Sequence, residues 1–464
     1  FNYPFLPNTT ALLNQTPGTN GGDPRLFNQT RVDPNFHNPY TISYNLGIQQ
    51  EVWKNTVFEA RYVGSRIVGQ FQTVNGNPLV NQLNQAAYCQ GLDAGAYTNG
   101  IVVGTAPATR EAACTGAGFN NSIINGVATN GNGRIDPTTG AVRLRTNGAT
   151  STYNGLQTRF DTRFSDSLSA NANYTLSKTI DNSSEIFSTG AGGQGVADPQ
   201  NPFDGSRGER GLSAFHQKHV FTANAIYDLP WYKEQRGFVG HLLGGFQLSG
   251  VFFAGSGRPY TPVEAFGTYD PNFENSFFGI GALRPYPGNP NAPLGTIAFG
   301  FNAACNVLFG GPACQVATPG QFIVYNTAQP GSTGTVVSAS QVIQQARLIY
   351  NDSGLFGQAA AAAYNSNEAF NLFKTPYSSL GRNTFSGDPN YTLNMALFKA
   401  TRLTEGVKLE LRAEAVNLLN RRNFGVPTTL TELAATPFTT GPFQNTGFNN
   451  GTFRSVRVGA RLIF

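Results

Sequence analysis

The stretch Phe453-Arg454-Ser455-Val456-Arg457-Val458-Gly459-Ala460-Arg461-Leu462-Ile463-Phe464 alternates with a period of two and stops on an aromatic side chain. In an extended chain successive side chains point to opposite faces. Val456, Val458, Ala460, Leu462 and Phe464 therefore share one face, and Ser455, Arg457, Gly459 and Arg461 share the other. A strand that is apolar on one side and charged on the other separates two media. Which media these are is decided by the rest of the chain.

Composition narrows the class. The chain has 464 residues, a length at which a soluble protein is expected to hold two or more domains. Yet only 12% of residues are charged, with 54 Gly and 27 Pro, which is unlike a cytosolic enzyme. Disorder is excluded as well, because 12% aromatic residues supply burial. No apolar run reaches the roughly 18–20 residues of a spanning helix, so any membrane crossing must be made by strands whose backbone groups pair with one another. A mean hydropathy of −0.24 is compatible with that. The net charge of +5 is dispersed and forms no basic run, so no nucleic-acid partner is expected. The chain opens on Phe1-Asn2-Tyr3-Pro4 without an initiator Met, which predicts a processed protein or a fragment.

Eight further segments alternate in the same way. They are Tyr40–Val52, Val57–Ser65, Tyr153–Phe164, Leu168–Lys178, His219–Asp228, Gly245–Ala254, Tyr391–Ala400 and Val407–Leu418. Nine strands are thus expected. The connections are Lys54–Thr56, Arg66–Thr152, Ser165–Ser167, Thr179–Lys218, Leu229–Gly244, Gly255–Asn390, Thr401–Gly406 and Leu419–Thr452. Short turns alternate with long loops.

This layout predicts an all-β fold, an antiparallel up-and-down outer-membrane β-barrel with short periplasmic turns and long extracellular loops. A soluble β-sandwich has no reason to keep its long loops at one end. If the last strand ends in the periplasm, residues 1–39 lie outside the cell and a strand must precede them. Nine is odd, whereas single-chain bacterial barrels have even counts. Residues 1–464 are therefore expected to be the C-terminal portion of a larger barrel, with the N-terminal strands and any plug absent.

The polar faces carry Glu59 and Arg61, then Arg159, Asp161 and Arg163, then Lys408, Glu410, Arg412 and Glu414, then Arg457 and Arg461. These are predicted to face the lumen, where mixed signs on neighbouring strands can pair across the ladder. The loop Gly255–Asn390 is expected to be a large extracellular insertion with structure of its own. Ser340 is placed to cap a short helix running to Tyr350, with Val342, Ile343, Ala346 and Ile349 at helical spacing, and Ala359–Phe373 predicts a second.

Several segments taken together carry a family resemblance. They include Asn38-Pro39-Tyr40, Glu59-Ala60-Arg61-Tyr62-Val63-Gly64-Ser65, Tyr153-Asn154-Gly155-Leu156-Gln157 and Tyr174-Thr175-Leu176-Ser177-Lys178-Thr179-Ile180-Asp181. Arg210-Gly211-Leu212-Ser213-Ala214-Phe215, Glu410 to Asn420 and Asn423-Phe424-Gly425 continue the series. In this order the chain resembles the C-terminal barrel part of TonB-dependent receptors of the Oar-like, acidobacterial kind, in which a carboxypeptidase-regulatory-like domain precedes the plug. The resemblance implies outer-membrane lipid as surroundings, a small nutrient as ligand, and an inner-membrane energy-coupling protein reached through the absent N-terminal part. It also implies that the barrel-assembly machinery recognises the last strand and its end residue Phe464.

Chemistry-bearing motifs are few. Cys89 and Cys114 fall in one long loop and Cys305 and Cys314 in another, which predicts two local disulfides in an oxidising compartment. The alternative is four free or metal-binding thiols, against which stands the absence of a C-x-x-C pair and a partnering His. His216 and His219 enter a strand on opposite faces, which disfavours a shared metal. Asn130-Gly131-Asn132-Gly133-Arg134-Ile135-Asp136 lacks the acidic ligands of a calcium loop and reads as a turn. No nucleophile elbow, P-loop or dinucleotide glycine pattern is present, so neither an enzyme nor a cofactor is expected. Three readings follow: an uptake barrel, a structural or adhesive outer-membrane barrel, and a secreted soluble β-protein.

Overall fold

A computed structural model describes residues 29–77, 122–124, 127–129, 142–184, 199–201, 209–262, 284–293, 295–299, 320–326, 334–350, 368–373, 378–404, 406–425 and 453–464. Its main feature is a meander of nine long strands. These are β1 (Tyr40–Trp53), β2 (Thr56–Asn75), β3 (Val142–Ser165), β4 (Leu168–Asp181), β5 (His219–Asp228), β6 (Phe246–Gly255), β7 (Asn390–Arg402), β8 (Lys408–Val416) and β9 (Ser455–Ile463). Each pairs antiparallel with its neighbours in sequence, an up-and-down order without crossovers. Two short strands join it: Gln29–Val32 runs parallel to the start of β3, and Gly211–Leu212 pairs with the end of β4. The outer edges of β1 and β9 have no ladder partner among the described residues.

The register turns local alternation into a continuous surface. One row reads Phe58, Phe160, Ala172, Ala223, Phe252 and Leu393 across β2 to β7, and another reads Leu248, Leu397, Ala413 and Val458 across β6 to β9. Because the ladders keep one parity between the bulges, these rows join into one predominantly apolar face across the nine strands. Val458 on that face is 81% exposed, an arrangement that water would penalise and hydrocarbon does not. In hydrocarbon an unpaired backbone group costs several kcal/mol, and the interstrand ladders remove that cost along the spans.

Aromatic side chains border the apolar face. Tyr44 and Tyr62 lie near its outer end and both donate hydroxyl hydrogen bonds to Asn154 Oδ1, at 3.2 and 2.7 Å. At the other end a bulge between Glu51 and Trp53 brings Trp53 opposite Thr56, onto the apolar side. Tyr44 to Trp53 spans about 30 Å of strand, or roughly 23 Å along the membrane normal at the usual strand tilt, which matches an apolar band about 25 Å tall.

β2 and β3 run well beyond the expected Val57–Ser65 and Tyr153–Phe164. The period-two signal there is broken because the register shifts between Val68 and Gln70 and again between Gln70 and Gln72, inverting the parity each time. Gly69 sits at the first shift with φ 73°, a conformation costly for other residues.

The β6–β7 connection contains the predicted structure of its own, but mostly as a sheet. Strands Tyr286–Pro287, Leu348–Tyr350, Thr296–Phe299, Gln321–Asn326 and Thr335–Ser338 form a five-stranded sheet in that order. It has its own core of Tyr286, Ala298, Phe322, Val337, Val342, Ala346 and Ile349, with Tyr286 stacked on Phe373 at 4.4 Å. Counting helices along the chain, α1 is Gly237–Leu243, α2 is Ala339–Gln345 and α3 is Glu368–Phe373. The cap of α2 is Ser338, not Ser340, because Gln341 closes a capping box on Ser338. The helix also ends before Tyr350, since Leu348–Tyr350 is a buried inner strand of the sheet.

Candidate functional site

The expected charges share the polar face of the wall. Glu59 stands opposite Arg159, Glu410 opposite Arg461 and Glu414 opposite Arg457. The ion pairs themselves run along strands more than across them: Arg61 to Glu59 at 2.5 Å, Arg159 to Asp161 at 2.5 Å, Lys408 to Glu410 at 2.8 Å, and Arg412 to Glu414. Opposite charges do face one another across the ladder, while these close ion pairs among the described residues run along the strands. Residues two apart on a strand lie on one face about 7 Å apart, within reach of an Arg side chain. Arg163 turns instead to Asp166 in the β3–β4 turn, at 3.3 Å.

Such pairs are partly or largely exposed, and exposed pairs contribute only about 0–1 kcal/mol each. They contribute little to holding the wall together. Between them runs an amide network across three strands. Asn171 donates to Asp161, Asn173 donates to Asn171 Oδ1 at 2.6 Å, and Asn224 donates to the same oxygen at 3.4 Å. Glu59, Arg61, Gln157, Arg159, Asn173 and Thr175 line a polar hollow of about 260 Å³ on this face.

A second cavity, of about 350 Å³, opens at the outer end of β5, β6 and β7. Gln217, Phe253, Arg258, Asn390, Thr392 and Asn423 line it. Its walls are fixed. Asn423 exchanges two 3.0 Å hydrogen bonds with the backbone of Tyr391, acting as an extra strand residue, and Gln217 Nε2 donates to Ser256 O at 3.0 Å. The chain crosses itself at Gly257, where a Cβ would lie 1.8 Å from the Gly387 carbonyl, so only glycine allows the approach. Asn390 Oδ1 is buried here without a hydrogen-bond partner, while the Arg258 side chain is exposed.

Above the rim, a buried polar clamp gathers segments distant in sequence. Arg382 donates to Glu209 O at 2.9 Å, to Ser184 Oγ at 2.8 Å and to Asp181 O at 2.7 Å, and pairs with the Asp181 carboxylate. Arg284 pairs with Glu209, whose other oxygen accepts from Gln200 N at 2.9 Å, and Gln200 Nε2 reaches Ser378 O at 2.8 Å. Burial lowers the proton affinity of the Arg284 guanidinium, and Glu209 opposes that shift. His216 is also buried, and its Nδ1 faces Thr179 N at 3.2 Å, whereas His219 stacks on Tyr174. Neither the rim cavity nor the clamp was anticipated from the sequence, because both are assembled from residues far apart in the chain.

Phe464 follows β9 and is 92% exposed. Cys89, Cys114, Cys305 and Cys314, and the Asn130–Asp136 turn, lie outside the described residues.

An antiparallel meander with one face apolar and belted by aromatics, the other polar, and with elaborate loops at one end, defines the wall of a membrane-spanning β-barrel. The chain belongs to the outer membrane beta barrel domain family, whose model matches residues 2–458, and its place is the bacterial outer membrane. No curated protein matches the chain. Similar solved structures include the outer membrane transporter YddB from Escherichia coli, at 10% identity and a TM-score of 0.35, covering 94% of this chain and 33% of that one. The ferric enterobactin receptor from Pseudomonas aeruginosa is similar at 9% identity and a TM-score of 0.33, with 92% and 31% covered. The FrpB iron transporter from Neisseria meningitidis stands at 8% and 0.33, with 95% and 33% covered. The chain thus spans about one third of the length of these structures.

Proposed function

We propose that the chain is wall and lid of an outer-membrane uptake receptor of the TonB-dependent, Oar-like kind. A small nutrient binds at the outer rim and then passes along the polar face, which lines the lumen. The observation that carries this reading is the rim cavity, where the orphaned Asn390 Oδ1 and the exposed Arg258 lie beside two lumen-facing residues, Phe253 and Thr392. A buried acceptor without a donor is costly unless something supplies one. A ligand bearing a hydroxyl or amide N–H together with a negative or strongly polar group satisfies both.

On this reading Gly255–Asn390 is an extracellular lid over the mouth, and Cys89, Cys114, Cys305 and Cys314 form two loop disulfides. Energy coupling is carried by a plug and an inner-membrane partner, and the exposed Phe464 is read by the barrel-assembly machinery. No residue of the wall or the clamp is assigned catalysis.

The test is growth of cells carrying the full-length protein on a panel of oligosaccharides, peptides and metal chelates, with and without the inner-membrane energy coupler. One nutrient should require both the protein and the coupler, and Asn390→Leu with Arg258→Ala should abolish growth on it while the barrel still assembles. Growth indifferent to the coupler would favour a structural or adhesive barrel.

A further inference from the structure

Three of the four connections at the periplasmic end are minimal, at residues 54–55, 166–167 and 403–407. The fourth, residues 229–245 between β5 and β6, is much longer and carries helix α1. A longer turn with a helix is not needed to join two adjacent antiparallel strands, so its composition calls for an explanation.

The segment is firmly built. Leu229 N donates to Phe246 O at 2.9 Å, closing its base, and Gln235 Nε2 donates to Ala400 O at 2.7 Å. Lys233 Nζ reaches Ser167 Oγ at 2.8 Å. Tyr232 and Gln235 hold positive φ values of 47° and 48°, a conformation that persists only where the surroundings impose it. The main fastening is Lys399. Its Nζ donates to the carbonyls of His241, Leu242 and Gly244 at 2.8, 3.0 and 2.7 Å, satisfying the C-terminal end of α1 with a cation.

Lys399 decides which side of the wall the helix occupies. Its ladder partners are Phe246 on β6 and Leu411 on β8, and it shares the parity of Leu397, so it belongs to the apolar face. Its Nζ also lies 4.3 Å from the centroid of the Phe246 ring. The helix it holds therefore lies on the lipid side of the barrel, at the periplasmic rim. On α1, Phe238, Val239, Leu242 and Leu243 form one helical stripe, and all four are exposed, Phe238 by 82%. Trp231, 62% exposed, and Tyr232 extend the stripe, and Lys233 and Arg236 flank it.

We propose that residues 229–245 form an interfacial membrane anchor, whose apolar stripe sits at the headgroup boundary of the periplasmic leaflet. The occupant is phospholipid, because the helix that carries the stripe is held by Lys399, a side chain of the lipid-facing row. Lys233 is the cation nearest the stripe that has no carboxylate partner among the described residues, Arg236 being paired with Glu234 at 2.8 Å, and Trp and Tyr are the side chains that favour this depth. The proposal is independent of what the barrel carries.

The test uses the full-length protein with Trp231 as its sole tryptophan, Trp53 and any tryptophan outside residues 1–464 being replaced by Phe. It is reconstituted in phosphatidylethanolamine–phosphatidylglycerol vesicles containing phospholipid brominated near either end of the acyl chain. Shallow bromines should quench Trp231 about twofold more than deep ones, as for a face buried roughly 5–10 Å into the boundary, with little quenching by aqueous iodide. Phe238→Glu with Leu242→Glu should restore iodide quenching in a barrel whose heat-modifiable gel shift is unchanged. Stronger quenching by deep bromines would overturn the interfacial depth. Quenching by iodide and by neither bromolipid would overturn the lipid assignment and turn the search to a periplasmic protein.

Discussion

Arg382 and Asp181 are 201 positions apart in the chain and form a buried ion pair, which fastens the return of the β6–β7 loop to the outer end of β4. Ser184 Oγ also donates to Asp181 Oδ2 at 2.9 Å, so the carboxylate is fully engaged. The pair lies above the spans, and its loss should loosen the lid without dissolving the wall.

Arg382→Ala strands a buried carboxylate, a change that costs about 3–5 kcal/mol. Amide hydrogen exchange should rise in residues 209–216 and 378–386 and stay unchanged in β5 to β8. Asp181→Leu with Arg382→Met should restore much of the protection, because an apolar pair leaves no charge unmatched. Equal deprotection of lid and wall would show that the clamp holds the whole barrel.

The two faces of β9 should respond differently to charge. Val458→Arg or Leu462→Arg puts a cation into lipid at a cost of roughly 2–4 kcal/mol near the midplane, less at the interfaces. Ser455→Arg, on the other face, should be tolerated. The amount of folded protein in outer-membrane fractions reports the difference, and indistinguishable levels would contradict the assignment of faces.

His216 gives the loop region a pH dependence. Burial, reinforced by the Lys178 and Lys218 cations, holds its imidazole below the ordinary value of 6.5. The unfolded loop then binds more protons than the folded one over the interval below 6.5, so the contribution is complete above 6.5 and is lost as the pH falls through the folded value. Protection of the Thr179 amide should fall on acidification from neutral pH, and His216→Asn, which keeps an acceptor but cannot titrate, should flatten that response.

Orientation is open to direct labelling. A cysteine replacing Ser340 on the lid helix should react with a membrane-impermeant maleimide on intact cells. One replacing Asp166, in the β3–β4 turn, should react only after the outer membrane is permeabilised. The opposite pattern would invert the barrel.

The nine strands were legible because a wall between lipid and water writes its two environments into alternate residues. Where β2 and β3 rise above the membrane, bulges at Val68 to Gln72 break that alternation and hide the strands from any period-two reading. The lid sheet is hidden for another reason. Its strands are short, and Leu348–Tyr350 runs parallel to Thr296–Phe299, a pairing no local pattern announces. The charges of the polar face were legible as a face but not as pairs, since Glu59 has both Arg61 on its own strand and Arg159 across the ladder. The Arg382–Asp181 and Arg284–Glu209 contacts depend wholly on tertiary placement.

The lid's private core has an evolutionary consequence. Tyr286, Phe322, Val337, Val342 and Ile349 pack on one another and on Phe373, so the sheet's own stability draws little on the wall beneath. Substitutions in this sheet and its loops can then accumulate while the transmembrane ladders stay under constant constraint. Lineages carrying this architecture should show two clocks in one gene, a slow one in the strands and a fast one between Gly255 and Asn390, with Arg284 and Arg382 marking where the exchangeable module is bolted on.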